Sequence, residues 1–529
     1  MSSPEELEKL FVKGKINRRT FITQLAAFGL TAAAMPSLGV STARAATPKK
    51  GGRLRLGLTG GATSDSLDTA TLSSTMPVNI NFQLRNNLVE VDHKGNAIPE
   101  LAESWEASPD ATQWTFKIRK GVEFHNGKTL TAEDVVYSIN HHRGEKSKSA
   151  AKSIVAPIKN IKTDGKYSIT FTLVGGDADF PYIVSDYHLS IVPAGTKDFD
   201  KGIGTGGYQL IQHEPGVRAF TKRNPNYWKE GRAHFDEIET LHIADVNART
   251  NALKTGQIDV LDRCELKTVH LLARSRGVNI VRTVSPLHYS MPMRTDIPPF
   301  DNPDVRLALK LIIDRKQMLK TILRGYGTIG NDQPIGSTYP FHATESDFPQ
   351  RTYDPDRARE LMKKAGMSNH TFKLNAADAA FAGAVDAALL VKESAAKAGI
   401  NIDVVRKPND GYWSNVWMKE PWCMCYWAGR VTPDPMFTTA YSETSNWNDS
   451  FWKNERFNKL LLDARSELDN QKRRAMYVEM QKLIHMDSGV IVPMFADIVE
   501  AVSDKLQHDS FAGNLELDGQ RLTERWWFA

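Results

Sequence analysis

Only three cysteines, Cys264, Cys423 and Cys425, occur in 529 residues. They permit at most one disulfide, so apolar cores rather than cystines must hold the fold. Cys423 and Cys425 are spaced i, i+2, which is not the C-x-x-C of a redox dithiol. No histidine stands beside them to complete a soft-metal site, and they read as buried thiols acting as small hydrophobes. Neither G-x-S-x-G nor H-E-x-x-H is present, and no nucleophile–base constellation stands out. The residues therefore support no enzyme, no catalytic group, no cofactor and no metal site. Charge of one sign is also scarce. The formal net charge is +5, of which the first 45 residues supply +3 (Lys9, Lys13, Lys15, Arg18, Arg19 and Arg44 against Glu5, Glu6 and Glu8). The remaining +2 is too small a footprint for a nucleic-acid partner. Beyond those 45 residues no apolar run reaches the length of a membrane-spanning helix.

The composition that is present, 41% apolar and 24% charged, is that of a globular chain, and its length calls for two or three domains. The start reads as an export leader. Asn17-Arg18-Arg19-Thr20-Phe21-Ile22 is a twin-arginine pattern, Leu25–Val40 is a short, small-residue-rich apolar run, and Ala43-Arg44-Ala45 is an A-x-A cleavage signal. Cleavage after Ala45, the twin-arginine translocase as export partner and a periplasmic location are the expectations.

Within the mature chain, Arg53–Leu58 alternates as an opening strand, and Trp114–Ile118 is a period-two strand. Asn126-Gly127 is a turn signal, and Thr131, with Asp134 three residues on, starts a helix. Asn302-Pro303 and Asp354-Pro355 each place a capping side chain before a first-turn proline, and apolar faces follow (Val305, Ala308, Leu309, Ile312; Ala358, Leu361, Met362, Ala365). Phe372–Leu374, a helix over Ala384–Ala398 and Ile400–Val405 form a βαβ pattern, hence an α/β fold with helices on sheet faces.

Several blocks then occur in a specific order. They are Leu101-Ala102-Glu103-Ser104-Trp105, Trp114–Arg119, Gly121–Gly127, Leu130–Val136, Gly204-Thr205-Gly206-Gly207-Tyr208, Asn224–Trp228, Asn251–Asp259, Pro299–Asp301 with Val305–Arg315, and Tyr353–Ala358. Together they resemble the signature of the extracellular solute-binding protein family 5, the substrate-binding proteins of peptide, nickel and opine ABC importers. The resemblance covers essentially all of the mature chain. It implies a two-lobed periplasmic binding protein of type II, the large three-domain variant, with an extra subdomain in the first lobe and a hinged inter-lobe cleft. Its implied boundaries are 46–87, 206–300 and 500–529 for the first lobe, 88–205 for the subdomain and 301–499 for the second lobe. Its implied partners are a small solute and an ABC permease in the inner membrane, with the chain acting as a monomer.

Two other motifs fail on context. Gly202-Ile203-Gly204-Thr205-Gly206-Gly207 satisfies G-x-G-x-x-G, but a strand-like Tyr208–Ile211 follows where a dinucleotide site needs a helix. Gly121…Gly127-Lys128-Thr129 has five residues between its glycines instead of the four of a P-loop.

The richest stretch is Tyr412–Pro435. It packs six large aromatics into its first sixteen residues and ends in Arg430 and a Pro-Asp-Pro turn. Aromatic strands are more often core than pocket, so the composition alone favours a core. The resemblance points the other way and sets Tyr426–Asp434 at the cleft. In peptide-binding members this segment reads roughly W-x-G-D or W-x-A-D, the aspartate holding the ligand's amino group. Here it is Trp427-Ala428-Gly429-Arg430, and an acceptor-only anion has become a five-donor cation. Met293-Arg294-Thr295 replaces the usual F-N-T. The expected ligand residues are Arg430, Trp427, Tyr426, Trp413, Trp417, Arg294 and Asp434. For the arginines the competing reading is an ion pair with Asp434 or Asp296. Tyr426 and Trp427 would point to opposite faces of one strand, so one of the two would meet ligand. An anionic or zwitterionic opine-like or peptide-like solute follows, with a nickel chelate or a di- or oligopeptide as alternatives.

Overall fold

The computed structural model describes residues 48–409 and 412–529, so the leader and its cleavage site lie outside the described residues. Three sheets organise the chain. Arg53–Leu58 becomes the fourth of seven strands, in the order Val278–Thr283, Ile498–Ser503, Val260–Leu261, Arg53–Leu58, Glu237–His242, Arg218–Arg223, Tyr208–Glu214. Its alternation places Leu54 and Leu56, fully buried, in a core shared with Tyr208, Phe235 and Trp526. A four-stranded antiparallel sheet (Ala102–Ala107, Gln113–Ile118, Ser168–Leu173, Ile158–Thr163) carries the inserted subdomain and its own core around Phe116, Phe171 and Phe180. A third sheet (Gly327–Ile329, Val490–Ala496, His288–Pro292, Cys425–Trp427) founds the second lobe.

Local chemistry forms the elements as expected at several points. Thr131 and Asp134 make a reciprocal capping box on helix Ala132–His141. Asn302 and Asp354 accept from the first-turn amides of helices Pro303–Leu311 and Pro355–Lys364. Thr371–Ala376 and Asn401–Arg406 pair in parallel across helix Ala384–Ala396. The glycine run leads into strand Tyr208–Glu214, and its glycines have a steric reason. A Cβ on Gly204 or Gly206 would fall 2.1 or 2.4 Å from the backbone of Gln83–Leu84. The first helix among the described residues begins at Thr75 and ends at Leu84.

The lobes are joined by two crossovers, residues 284–287 and residue 497. Ser285 Oγ donates to the Ala496 carbonyl at 2.8 Å, and the Ala496 amide donates to the Leu287 carbonyl at 2.9 Å. Because His288–Pro292 pairs with Val490–Ala496 and Cys425–Trp427, the chain enters the second lobe near residue 288, not at 301. Among the described residues no helix is long and apolar enough to cross a membrane.

Candidate ligand-binding site

The aromatic stretch divides into an inner and an outer half. Tyr412, Trp422 and Trp427 are buried, Trp422 completely, and they join the two cores of the second lobe. Cys423 and Cys425 are buried with them, and all three cysteines are free thiols. Burial, together with the nearby Asp449, pushes the Cys423 and Cys425 thiols up. On the outer side Trp413 is 39% exposed and Tyr426 41%. Strand alternation accounts for the split between Tyr426 and Trp427: the three-residue strand Cys425–Trp427 reads buried, exposed, buried.

One carboxylate holds the inner half to the outer. Asp449 Oδ2 accepts from Trp417 Nε1 at 3.1 Å and from Trp427 Nε1 at 3.2 Å, and Cys425 Sγ lies 3.7 Å away. Burial raises the Asp449 carboxyl to about 6, against the pull of these donors. Rings meet edge to face outward from this anchor: Trp417 on Trp413 (5.9 Å), Trp413 on Tyr426 (5.6 Å) and Trp417 on Trp447 (6.0 Å). Trp447, 52% exposed, completes the wall.

Arg430 follows directly. Gly429 lies against the first crossover, where a Cβ would fall 2.1 Å from Pro286 Cγ, so only glycine lets this loop touch the hinge. The Arg430 amide donates to the Tyr339 hydroxyl at 2.7 Å, and its Nη1 donates only to the carbonyls of Ala428 and Gly429, both at 3.2 Å. Among the described residues no carboxylate lies within ion-pair distance of it. Asp434 is committed elsewhere: Arg465 donates to both its oxygens, at 3.0 and 3.1 Å. The alternative of an Arg430–Asp434 pair is therefore corrected, and Asp434, expected among the ligand residues, has both carboxylate oxygens held by Arg465. Arg294, also expected among the ligand residues, forms the competing ion pair with Asp296. Its Nε and Nη2 donate to Asp296 at 3.1 and 2.8 Å, and its guanidinium sits 4.1 Å over the Phe451 ring. It stands five residues beyond Tyr289, the cross-strand neighbour of Tyr426, which is about 17 Å at strand rise.

The first lobe faces this wall with groups the sequence did not single out. Burial and Asp186 push the Tyr187 phenol up to about 12, while Arg430 across the gap works against them. Burial opposes the Arg263 charge, yet Glu516, Asp262 and the Tyr426 hydroxyl hold its guanidinium above the ordinary value. Arg263 is a non-glycine residue with φ of +49°, a strained conformation of the kind kept at functional sites. Its Nε donates to Glu516 at 2.5 Å. Trp447, Asp449, Arg263 and Tyr187 carried no sequence signal, because each depends on a partner distant in the chain. Two surface cavities, of about 390 and 710 Å³, lie elsewhere on the first lobe, lined by residues such as Asp200 and His213 or Lys222 and Arg232, and neither touches the aromatic wall. Among the described residues no group of three His, Cys, Asp or Glu side chains could hold a metal ion.

Residues 96–449 match the family described as "Bacterial extracellular solute-binding proteins, family 5 Middle". The heme-binding protein A of Haemophilus influenzae is 27% identical over 493 residues, covering 83% of this chain and 87% of the relative. Two solved structures share the fold. The binding protein AgaA of Agrobacterium tumefaciens R10, in complex with agropinic acid, superposes with a TM-score of 0.72 at 22% identity, over 90% of this chain and 99% of the other. The ABC transporter-associated periplasmic binding protein DppA of Helicobacter pylori, in complex with the peptide STSA, does so with a TM-score of 0.70 at 23% identity, over 90% and 98%.

Proposed function

The chain belongs to the bacterial extracellular solute-binding proteins of family 5, and from that premise we propose that it is the periplasmic substrate-binding component of an ABC importer for a small anionic or zwitterionic solute of opine-like or peptide-like chemistry. The solute sits between the lobes and is handed to the membrane permease by the ligand-bound form. The twin-arginine leader delivers the chain to the periplasm and is cut after Ala45, and the mature chain works as a monomer. The family is one of binding proteins, and the reading assigns no catalytic group.

Arg430 carries the choice of ligand. It is a guanidinium at the hinge side of the cleft with hydrogen bonds only to its own loop, so its remaining donors are open to a carboxylate, sugar acid or phosphate. Tyr426, Trp413 and Trp447 offer stacking surface beside it, while Trp417 and Trp427 act through the wall they support. The protein with agropinic acid bound shares this fold and illustrates the solute size that such a cleft holds.

Native mass spectrometry of the protein purified from its own periplasm identifies the solute, and calorimetry against opines, unmodified dipeptides and nickel chelates ranks the classes. A co-purifying compound with a free carboxylate or phosphate is the expected result. Tight binding of unmodified dipeptides through their amino group would remove Arg430 from its assigned role.

A further inference from the structure

The lobes meet a second time, away from the crossovers. Loop 174–179 of the inserted subdomain runs against three helices of the second lobe, Pro433–Ala440, Glu455–Ser466 and Asn470–Asp487. The contact is close. The Ala178 amide donates to the Arg465 carbonyl at 2.7 Å, and a Cβ on Gly176 would fall 2.7 Å from Ser466 Cβ. Arg473 Nη1 donates to Asp179 Oδ1 at 2.7 Å, with 6% and 3% of the two side chains exposed, so this ion pair between lobes is shut off from water. Beside it Arg465 forks onto Asp434 within the second lobe.

The charges here do not balance. Three carboxylates, Asp177, Asp179 and Asp434, face two guanidiniums, Arg465 and Arg473. Asp179 takes one and Asp434 the other. Among the described residues Asp177 has no guanidinium at ion-pair distance, and its Oδ1 accepts only the Asp179 amide, at 2.9 Å. The other titratable groups at the contact, Tyr477 from the second lobe and Tyr182 from the subdomain, are neutral phenols whose values burial has raised, so neither offsets the third carboxylate.

We propose that this contact is a proton-gated latch: the lobes close on each other when Asp177 takes up a proton, and the unpaired carboxylate opposes closure when it is ionised. The observation is independent of the ligand and of the residues assigned to the cleft. Partial burial, with Asp179 and Asp434 beside it and against the pull of Arg465, raises the Asp177 carboxyl to about 7 when the lobes touch. With the lobes parted and the side chain in water, the ordinary aspartate value is about 4. The touching state therefore binds more protons than the parted one. Its advantage is complete below about 4, declines by up to about tenfold per pH unit as pH rises, and levels off above about 7.

Spin labels on Val174→Cys and Leu462→Cys, exposed positions on either side of the contact, report its opening in the ligand-free mature protein with Cys264→Ser. Electron–electron distance measurements at pH 5.5 and 8.0 are expected to show a short-distance population that dominates at the lower pH and shrinks at the higher. Asp177→Asn is expected to keep the short distance at both values. Asp434→Asn, which leaves two carboxylates for two guanidiniums and frees Arg465 for Asp177, is expected to do the same. An unlabelled-background control for folding is the circular dichroism of each variant at both pH values. A wild-type distribution that does not change with pH, or a pH response that survives in both variants, overturns the latch. Because no solute is added, neither result bears on the identity of the ligand.

Discussion

The two edges at which the lobes face each other are built on opposite electrostatic plans. At the latch, the Arg473–Asp179 pair is buried and the Arg465–Asp434 pair partly so, and guanidiniums and carboxylates are matched one to one, save for Asp177. At the cleft, among the described residues, the Arg430 guanidinium donates only to its own loop, and Trp413, Tyr426 and Trp447 leave ring surface in water. A buried ion pair costs desolvation and is kept in place by the loss that follows when one partner is removed. An exposed guanidinium beside aromatic faces costs little until a ligand arrives, and then gains its hydrogen bonds in a site emptied of water. The latch edge thus sets the geometry of the lobes, and the cleft edge keeps its interactions in reserve.

Four substitutions would sharpen or break this contrast. The largest effect is expected at the latch. Arg473→Ala leaves Asp179 buried without its partner and should destabilise the protein by about 3–5 kcal/mol, read as a fall in denaturation midpoint. A loss below about 1 kcal/mol would mean that the pair is not shut off from water. Next comes the cleft. Arg430→Asp should weaken binding of an anionic solute by about 100-fold, or ~2.7 kcal/mol, with the denaturation midpoint nearly unmoved. An unchanged dissociation constant in calorimetry would place the anion site elsewhere.

A middle effect belongs to the carboxylate beneath the wall. Asp449→Ala leaves the indole N–H groups of Trp417 and Trp427 without an acceptor and should cost about 1–3 kcal/mol. It should also shift tryptophan emission. In the wild type the Asp449 carboxyl, raised to about 6 by burial, is favoured as the neutral acid relative to the unfolded chain. Its contribution is therefore most favourable below the unfolded value near 4 and declines as pH rises to about 6. Emission that ignores pH between 4 and 7 would contradict this. The smallest effect is expected at Arg294. Its pair with Asp296 is partly exposed and local, so Arg294→Ala should change stability by no more than about 1 kcal/mol and leave solute affinity alone.

Much of the architecture was legible in one dimension. Thr131 and Asp134, Asn302 and Pro303, and Asp354 and Pro355 announce helix starts because a cap and the amides it serves are within four residues of each other. Arg53–Leu58 and Trp114–Ile118 announce strands because alternate side chains share a face. The lobe boundary near residue 300 was misplaced because a strand's pairing partners, here Val490–Ala496 and Cys425–Trp427, leave no trace in its own sequence. The aromatic stretch stands out in the sequence as one object, and nothing in the sequence divides it. Trp422 and Tyr426 differ in exposure, not in kind, and the sequence offered both a core and a pocket.

Element type, the caps and turns, and the replacement of an acid by Arg430 are properties of neighbouring residues, and neighbours are all that a linear reading holds. The pairing of Arg294 with Asp296 was also within its reach, two positions apart. Asp179 and Arg473 are 294 positions apart, and Trp427 and Asp449 are separated by 22. Which cation answers which carboxylate, and which carboxylate is left over, depends on how the lobes pack. That is a matter of distance through space, and charge interactions decay with that distance rather than with separation along the chain.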